Sequence, residues 1–246
     1  MFEFDYSYLL LVMIIIMALL YSSVGHGGAS GYLAAMALFG LAPETMKPAA
    51  LMMNIFVSAL LVWRLSRAGH FNWPLFWPII VGSIPMAFMG GMLVIDVGLY
   101  KMIVGLALIL AAVYMIFRVP VHEQVRPGKT VVAVFIGGVL GFIAGLTGVG
   151  GGIYLSPLLL FLQWTTMRGS AAISAGFILV NSIAGLSGYL MVATNIPDGI
   201  LIMVVCAFVG ALVGSELAVR WATPGLLRRL LGLVLVIAGV KMILIV

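Results

Sequence analysis

Charge is what this chain most lacks. Only 8% of its 246 residues are Asp, Glu, Lys or Arg, against roughly a quarter in a soluble domain. With 64% hydrophobic residues and a mean hydropathy of +1.29, a soluble fold is excluded. Cysteine is nearly absent: Cys206 stands alone, so no intrachain disulfide can form. A basic leader is missing too. The start, Met1-Phe2-Glu3-Phe4-Asp5, is acidic where a cleavable signal is basic, so the first apolar run is expected to stay in the mature protein. No GxxxxGKS/T run and no HExxH occurs, and no carboxylate pair falls inside an apolar run. Nucleotide-driven chemistry, zinc-protease chemistry and paired-carboxylate catalysis lose their usual carriers. The net charge of +5 need not mean nucleic acid, because in a membrane chain the placement of cations matters more than their sum.

What the chain does have is apolar runs joined by short polar stretches. Inside a bilayer the backbone must satisfy its own hydrogen bonds, which leaves helices or a closed barrel. The runs lack strict period-2 alternation, so an all-α polytopic membrane protein is expected. Ten segments can be read: 8–24, 28–41, 48–65, 74–95, 99–118, 130–147, 150–163, 170–193, 197–221 and 226–246. Eight have spanning length. Segments 28–41 and 150–163 are short: 14 helical residues reach about 21 Å, against a hydrocarbon core of ~30 Å. Each follows a glycine break.

The breaks correspond. Gly25-His26-Gly27-Gly28 lies over Gly148-Val149-Gly150-Gly151, and the segment around Pro85 and Gly90 lies over that around Gly210 and Gly214. The chain divides into a first repeat at 1–118, a polar linker at 119–129 and a second repeat at 130–246 within one transmembrane domain. If each break reverses the chain, Arg64, Arg67, Arg118, Arg126, Lys129, Arg168, Arg220, Arg228 and Arg229 share one face, nine of the twelve cations. Lys47, Lys101 and Lys241 take the other. If each break were only a kink, the cations would divide six to six. The positive-inside rule therefore favours two hairpins, a cytoplasmic linker and both termini outside. Five segments per copy is an odd number, so the copies are expected to be inverted, with their hairpin tips converging towards mid-bilayer.

At each break a new helix begins with unpaired backbone N–H groups and about half a positive charge from its dipole. Such a terminus suits an oxyanion without any basic side chain. Gly25, Gly27, Gly28, Gly148, Gly150, Gly151 and Gly152 would supply turns and backbone donors, and Ser23 and Thr147 hydroxyls. The competing reading is close helix packing through small residues, which suffices for Gly137-Gly138 and Gly90-Gly91. His26 is the ionisable residue placed deep in the core. It either carries a coupling proton or contacts substrate, or is a neutral imidazole bonded to the turn backbone. Asn54 and Asn181 lie mid-segment, as interhelical glue or as substrate contacts. Glu216 is expected to pair with Arg220 one turn on. Trp63, Trp73, Trp77, Trp164 and Trp221 read as interfacial anchors.

The run Gly148-Val149-Gly150-Gly151-Gly152-Ile153-Tyr154-Leu155-Ser156-Pro157 resembles the glycine motif of the TauE/SafE sulfite exporter family, also called the toluene-sulfonate uptake permease family. Gly25-His26-Gly27-Gly28-Ala29-Ser30-Gly31-Tyr32 resembles its first-half counterpart, and the likeness covers essentially the whole chain. The resemblance implies transport of sulfur-containing or organic anions such as sulfite, sulfonates or sulfoacetate. The family contains exporters and importers, so direction does not carry over. The expected protein is a secondary transporter of the bacterial inner membrane, not an enzyme. It would bind a small anion within the lipid bilayer, with no cofactor, nucleotide or nucleic acid, and with proton coupling resting on His26 alone. A homo-oligomer is compatible with the sequence. The alternatives are a passive anion channel and an intramembrane enzyme.

Overall fold

The computed structural model describes residues 7–23, 25, 27–116, 125–193, 197–220 and 225–244. Ten α-helices run through them: α1 (Ser7–Ser23), α2 (Ala29–Leu38), α3 (Pro43–Arg67), α4 (Trp73–Met92), α5 (Val97–Ile116), α6 (Thr130–Thr147), α7 (Gly152–Phe161), α8 (Met167–Val192), α9 (Ile200–Arg220) and α10 (Gly225–Leu244). No strand occurs among the described residues. Five helices, α3, α4, α5, α6 and α8, are long and apolar enough to cross a membrane. α2 and α7 have 10 residues each. The large apolar side chains on the surface, among them Val131, Phe135 and Leu201, suit a lipid solvent rather than water.

Both glycine breaks reverse the chain. At the second, the Arg126 N–H ahead of α6 donates to the Gln163 carbonyl after α7 at 2.7 Å. Gly128 lies against the Trp164 ring. The two arms thus leave from and return to one end. At the first, Gly31 packs on Met17 and Tyr21. Ten residues of uninterrupted helix would hold positions 21 and 31 about 15 Å apart. Trp164, expected at the interface, is instead 7% exposed and fills the mouth of the second hairpin. Trp63, Trp73 and Trp77 are half-exposed, as anchors are.

Helices from the two halves interleave. α4 packs on α6 and α8, α1 on α9, α3 on α8 and α9, and α5 on α10. Exchanging α1–α5 for α6–α10 leaves these pairings unchanged. Two of them join a helix to its own counterpart, and both run antiparallel. Lys47 near the start of α3 sits by Tyr189 near the end of α8. Gly105 and Ala112 of α5 meet Gly239 and Gly232 of α10 in reversed order. Small residues permit these contacts. Methyl groups on Gly137, Gly141 or Gly145 of α6 would overlap the carbonyls of Ile79, Ser83 and Ala87 of α4, while Gly210 and Gly214 of α9 face Ile15 and Leu19 of α1 in the same way.

α3 begins at Pro43 rather than at Pro48. Pro43 takes the first helical turn, where a missing N–H is harmless, and Pro48 lies inside the helix. An amide at position 48 would donate to the Glu44 carbonyl; the Tyr189 hydroxyl donates there instead, at 3.2 Å. Tyr189→Phe should therefore cost about 1 kcal/mol of unfolding free energy. In a Pro48→Ala background, where the amide returns, the same change should cost almost nothing. Denaturation of the four variants of this cycle in detergent measures the difference.

Candidate functional site

α2 starts after Gly28 and α7 after Gly151. Both N-cap glycines are left-handed, with φ of 86° and 72°, and neither helix has a side-chain cap. The left-handed region is open to glycine at little cost. The first hydrogen bonds inside α2 and α7 go to the N-cap carbonyls, from Tyr32 at 2.9 Å and from Tyr154 and Leu155 at 3.1 and 3.2 Å. The N–H groups ahead of them have no partner within the helix. Gly27 to Ala37 and Ala144 to Gly152 are buried, so two uncapped helix starts lie inside the protein.

These starts meet at one place. A methyl on Gly27 would stand 3.1 Å from Ile178 Cγ2 and 3.6 Å from Asn54 Oδ1. A methyl on Gly150 would stand 2.9 Å from Asn54 Nδ2 and 3.0 Å from the same Ile178 carbon. Asn54 and Ile178 are thus flanked by both breaks. Each is the twelfth residue of its helix, in 25 residues of α3 and 26 of α8, so the junction lies at the middle of two long antiparallel helices. Asn54 is fully buried, and neither of its amide atoms has a hydrogen-bond partner. Asn181, three residues beyond Ile178 and so on the same helix face, is likewise buried with both amide atoms unpartnered, and so is the hydroxyl of Ser182. Buried polar atoms are ordinarily paired, and an orphan calls for an explanation.

The other residues expected at the site divide. Gly28 faces the Tyr32 hydroxyl, itself buried and unpartnered, and Gly152 faces Ile178 and the Ser174 carbonyl. Gly25 lies on Ala171, Gly148 on the Lys47 backbone and Gly151 on Phe177, away from Asn54. Ser23 donates its hydroxyl to the Leu20 carbonyl at 2.7 Å. Thr147 donates to the Ile143 carbonyl at 2.7 Å and accepts the Val149 N–H at 3.2 Å. Both hydroxyl hydrogens are thus engaged with backbone, and Thr147 shapes its own turn. His26 lies outside the described residues. Gly90, Gly91 and Gly137 pack directly on neighbouring backbones, whereas the nearest atom to a methyl on Gly138 is 3.6 Å away.

Several supporting residues carry no sequence signal. Lys47, read as an outer-face cation near a helix end, is 6% exposed. Its ammonium donates to the carbonyls of Gly91 at 2.9 Å and of Gly90 and Leu93 at 3.3 Å. It thereby caps α4 with a charge of the favourable sign, and the Tyr189 ring centroid lies 5.7 Å away. Tyr100 of α5 donates to the Thr147 carbonyl at 2.9 Å, and Tyr154 of α7 donates to the Ala107 carbonyl of α5 at 2.6 Å. α5 thus holds the second break on both sides. Glu216 pairs with Arg64 of α3 at 3.0 Å, a contact between helices; the side chain of Arg220 lies outside those described. Only the fold brings these groups together.

Apolar helices of this length, interleaved around two broken hairpins, define a multi-pass membrane protein with a buried polar junction. Comparison with known proteins narrows the class. Residues 9–242 match the family model described as Sulfite exporter TauE/SafE, and the chain belongs to that family of membrane transporters. A probable membrane transporter protein, y4hK, of Sinorhizobium fredii is 32% identical, the match covering 93% of this chain and 94% of that one. The probable membrane transporter protein MJ0441 of Methanocaldococcus jannaschii is also 32% identical, over 78% and 77%. YjnA of Bacillus subtilis, named in the same words, is 26% identical over 89% and 92%. No solved structure matches the chain.

Proposed function

We propose that the protein is a secondary transporter of a small anion, a sulfur oxyanion or organosulfonate of the sulfite, sulfonate or sulfoacetate type. The anion would bind where Gly27 and Gly150 flank Asn54. The observation that carries this reading is the unpartnered Asn54 amide held between two buried, uncapped helix starts. Each start contributes about half a positive charge, and the amide supplies a donor that has no protein acceptor. An oxyanion accepts from all of these donors at once, with Gly28, Gly152 and Asn181 in supporting positions. The sulfur assignment rests on the family's description.

The mechanism in this reading is alternating access between two inverted five-helix repeats, 1–118 and 130–246. The exchange of helix pairings between halves and the antiparallel α3–α8 and α5–α10 pairs support inversion. Eight helices would span the bilayer, with α2 and α7 as short return arms. The cation count supports a cytoplasmic 119–129 linker, outside termini and the inner membrane. Transport would proceed without cofactor or nucleotide, with His26 as the coupling group if protons drive it.

The purified chain in proteoliposomes provides the test. Sulfite or a sulfonate should move, and an opposing gradient should be overcome when a proton gradient is applied. Flux that only runs downhill would instead favour a channel or facilitated diffusion over proton-coupled transport. If sulfite, sulfate, thiosulfate and sulfonates neither move nor shift thermal stability, the sulfur-anion assignment fails. His26→Gln should abolish pH dependence of transport; an unchanged profile removes the proton role.

A further inference from the structure

Tyr32 carries a hydroxyl that the fold does not use. The residue is fully buried, and its oxygen has no hydrogen-bond partner. A buried tyrosine hydroxyl usually finds one. Those of Tyr100 and Tyr154 do, on the carbonyls of Thr147 and Ala107, and the Tyr21 hydroxyl lies beside Ser30. Long side chains on a helix lean back towards its N-terminus. Tyr32, in the first turn of α2, thus brings its hydroxyl to the N-cap: a methyl on Gly28 would stand 2.6 Å from that oxygen. The bare Gly28 backbone makes the room that the hydroxyl occupies.

The hydroxyl arrives one residue from Gly27, which borders Asn54, and α2 has no side-chain cap of its own. The end of α1 shares this break, but its carbonyls are engaged there. The Ser23 hydroxyl donates to Leu20, and the Gly25 N–H donates to Ser22. Among the described residues no acceptor meets the Tyr32 hydrogen. The second hairpin has no counterpart. The register of the two glycine runs sets Leu155 opposite Tyr32, and Leu155 is buried in apolar packing. The hydroxyl is therefore an addition to one half rather than part of the repeated scaffold.

We infer that Tyr32 is a specificity-determining contact of the anion site, the donor that selects a pyramidal SO3 group over a planar carboxylate. The inference rests on the anion reading of the Asn54 junction. A carboxylate holds both oxygens and their lone pairs in one plane. The SO3 group of sulfite or a sulfonate sets three oxygens on a pyramid, so one oxygen is left for a donor outside the plane of the other two. The free N–H groups of α2 point along its axis, whereas the Tyr32 hydroxyl comes from the side of the helix. It is placed to donate to that third oxygen while the helix starts and the Asn54 amide hold the rest.

Methanesulfonate and acetate share a methyl group and a single negative charge, so they isolate the head group. Their affinities for the purified full chain are read from ligand-dependent thermal unfolding in detergent. The intact chain should bind methanesulfonate about 10-fold or more tightly than acetate. Tyr32→Phe keeps the ring and loses the hydroxyl. Methanesulfonate binding should weaken about 10- to 100-fold, the scale of one hydrogen bond to a charged group, and acetate binding less than about 2-fold. Without ligand, Tyr32→Phe should unfold at a higher temperature, because an unsatisfied buried hydroxyl is gone. Tyr32→Leu, the residue of the second hairpin, should lose the same preference. Tyr154→Phe, whose hydroxyl has a protein acceptor, should lower the unfolding temperature and leave the preference intact. Equal binding of the two anions by the intact chain, or an unaltered preference in Tyr32→Phe, overturns the inference and leaves the anion junction standing. If neither anion binds the intact chain, the anion reading fails and the inference falls with it.

Discussion

Asn54→Leu should make the protein more stable and nearly inactive. The amide is fully buried with both polar atoms unpartnered, and an unsatisfied buried polar group costs about 1–3 kcal/mol. Leucine has a similar volume and nothing to satisfy, so thermal unfolding in detergent without substrate should move upward by that margin. Transport should fall by roughly 10- to 100-fold, the loss of one hydrogen bond to a charged ligand. The opposite signs are diagnostic. A residue serving only as interhelical glue would lose stability when replaced, because its partner would be orphaned. A fall in both quantities would therefore assign Asn54 to packing and remove it from the site.

Two adjacent glycines should respond to the same substitution in opposite directions. Gly137 and Gly138 are equivalent in the sequence, but a methyl on Gly137 would overlap the Ile79 carbonyl of α4. Backbone cannot yield there as a side-chain end can, so Gly137→Ala should force α6 and α4 apart at a cost of about 1–3 kcal/mol or more. On Gly138 the nearest atom, the Gly82 oxygen, would be 3.6 Å away, ordinary contact distance. Alanine is a better helix former than glycine by ~1 kcal/mol, so Gly138→Ala should be neutral to stabilising. Chemical denaturation of the two single variants in one detergent gives the comparison. Equal losses would mean that α4 and α6 do not touch through Gly137.

The parts legible in the sequence are those governed by local chemistry. Apolar length and glycine interruption placed α6 at 130–147 and kept α2 and α7 short. Asn54 stood out because an amide in an apolar helix is anomalous wherever it lands. Its partner at the crossing, Ile178, is one isoleucine among many, and only the convergence of Gly27 and Gly150 on it gives it meaning. Lys47 counts as an outer-face cation in the sequence because it precedes the apolar run at 48–65. Its burial depends on the end of α4, more than forty residues away. Trp164 was misplaced for a similar reason, since tryptophan near a helix end serves equally as an interfacial anchor or as a plug, and the returning linker decides which. Pro48 looked like a helix start because the hydroxyl that replaces its missing donor comes from Tyr189, 145 residues away from the accepting Glu44.

The interleaving of halves has a consequence for how the chain is built. α1 finds its principal partner in α9, which begins about 180 residues after α1 ends. At ~5–20 residues per second, α1 waits on the order of 10–40 s beside the ribosome before the glycines that fit it are synthesised. α4 waits a shorter time, for α6 and then for α8. The membrane must therefore hold the first five helices loosely, as inserted but unassembled segments. The apolar character of the helices keeps them in the bilayer during that interval, and the glycine seams commit them to one arrangement once both halves are present.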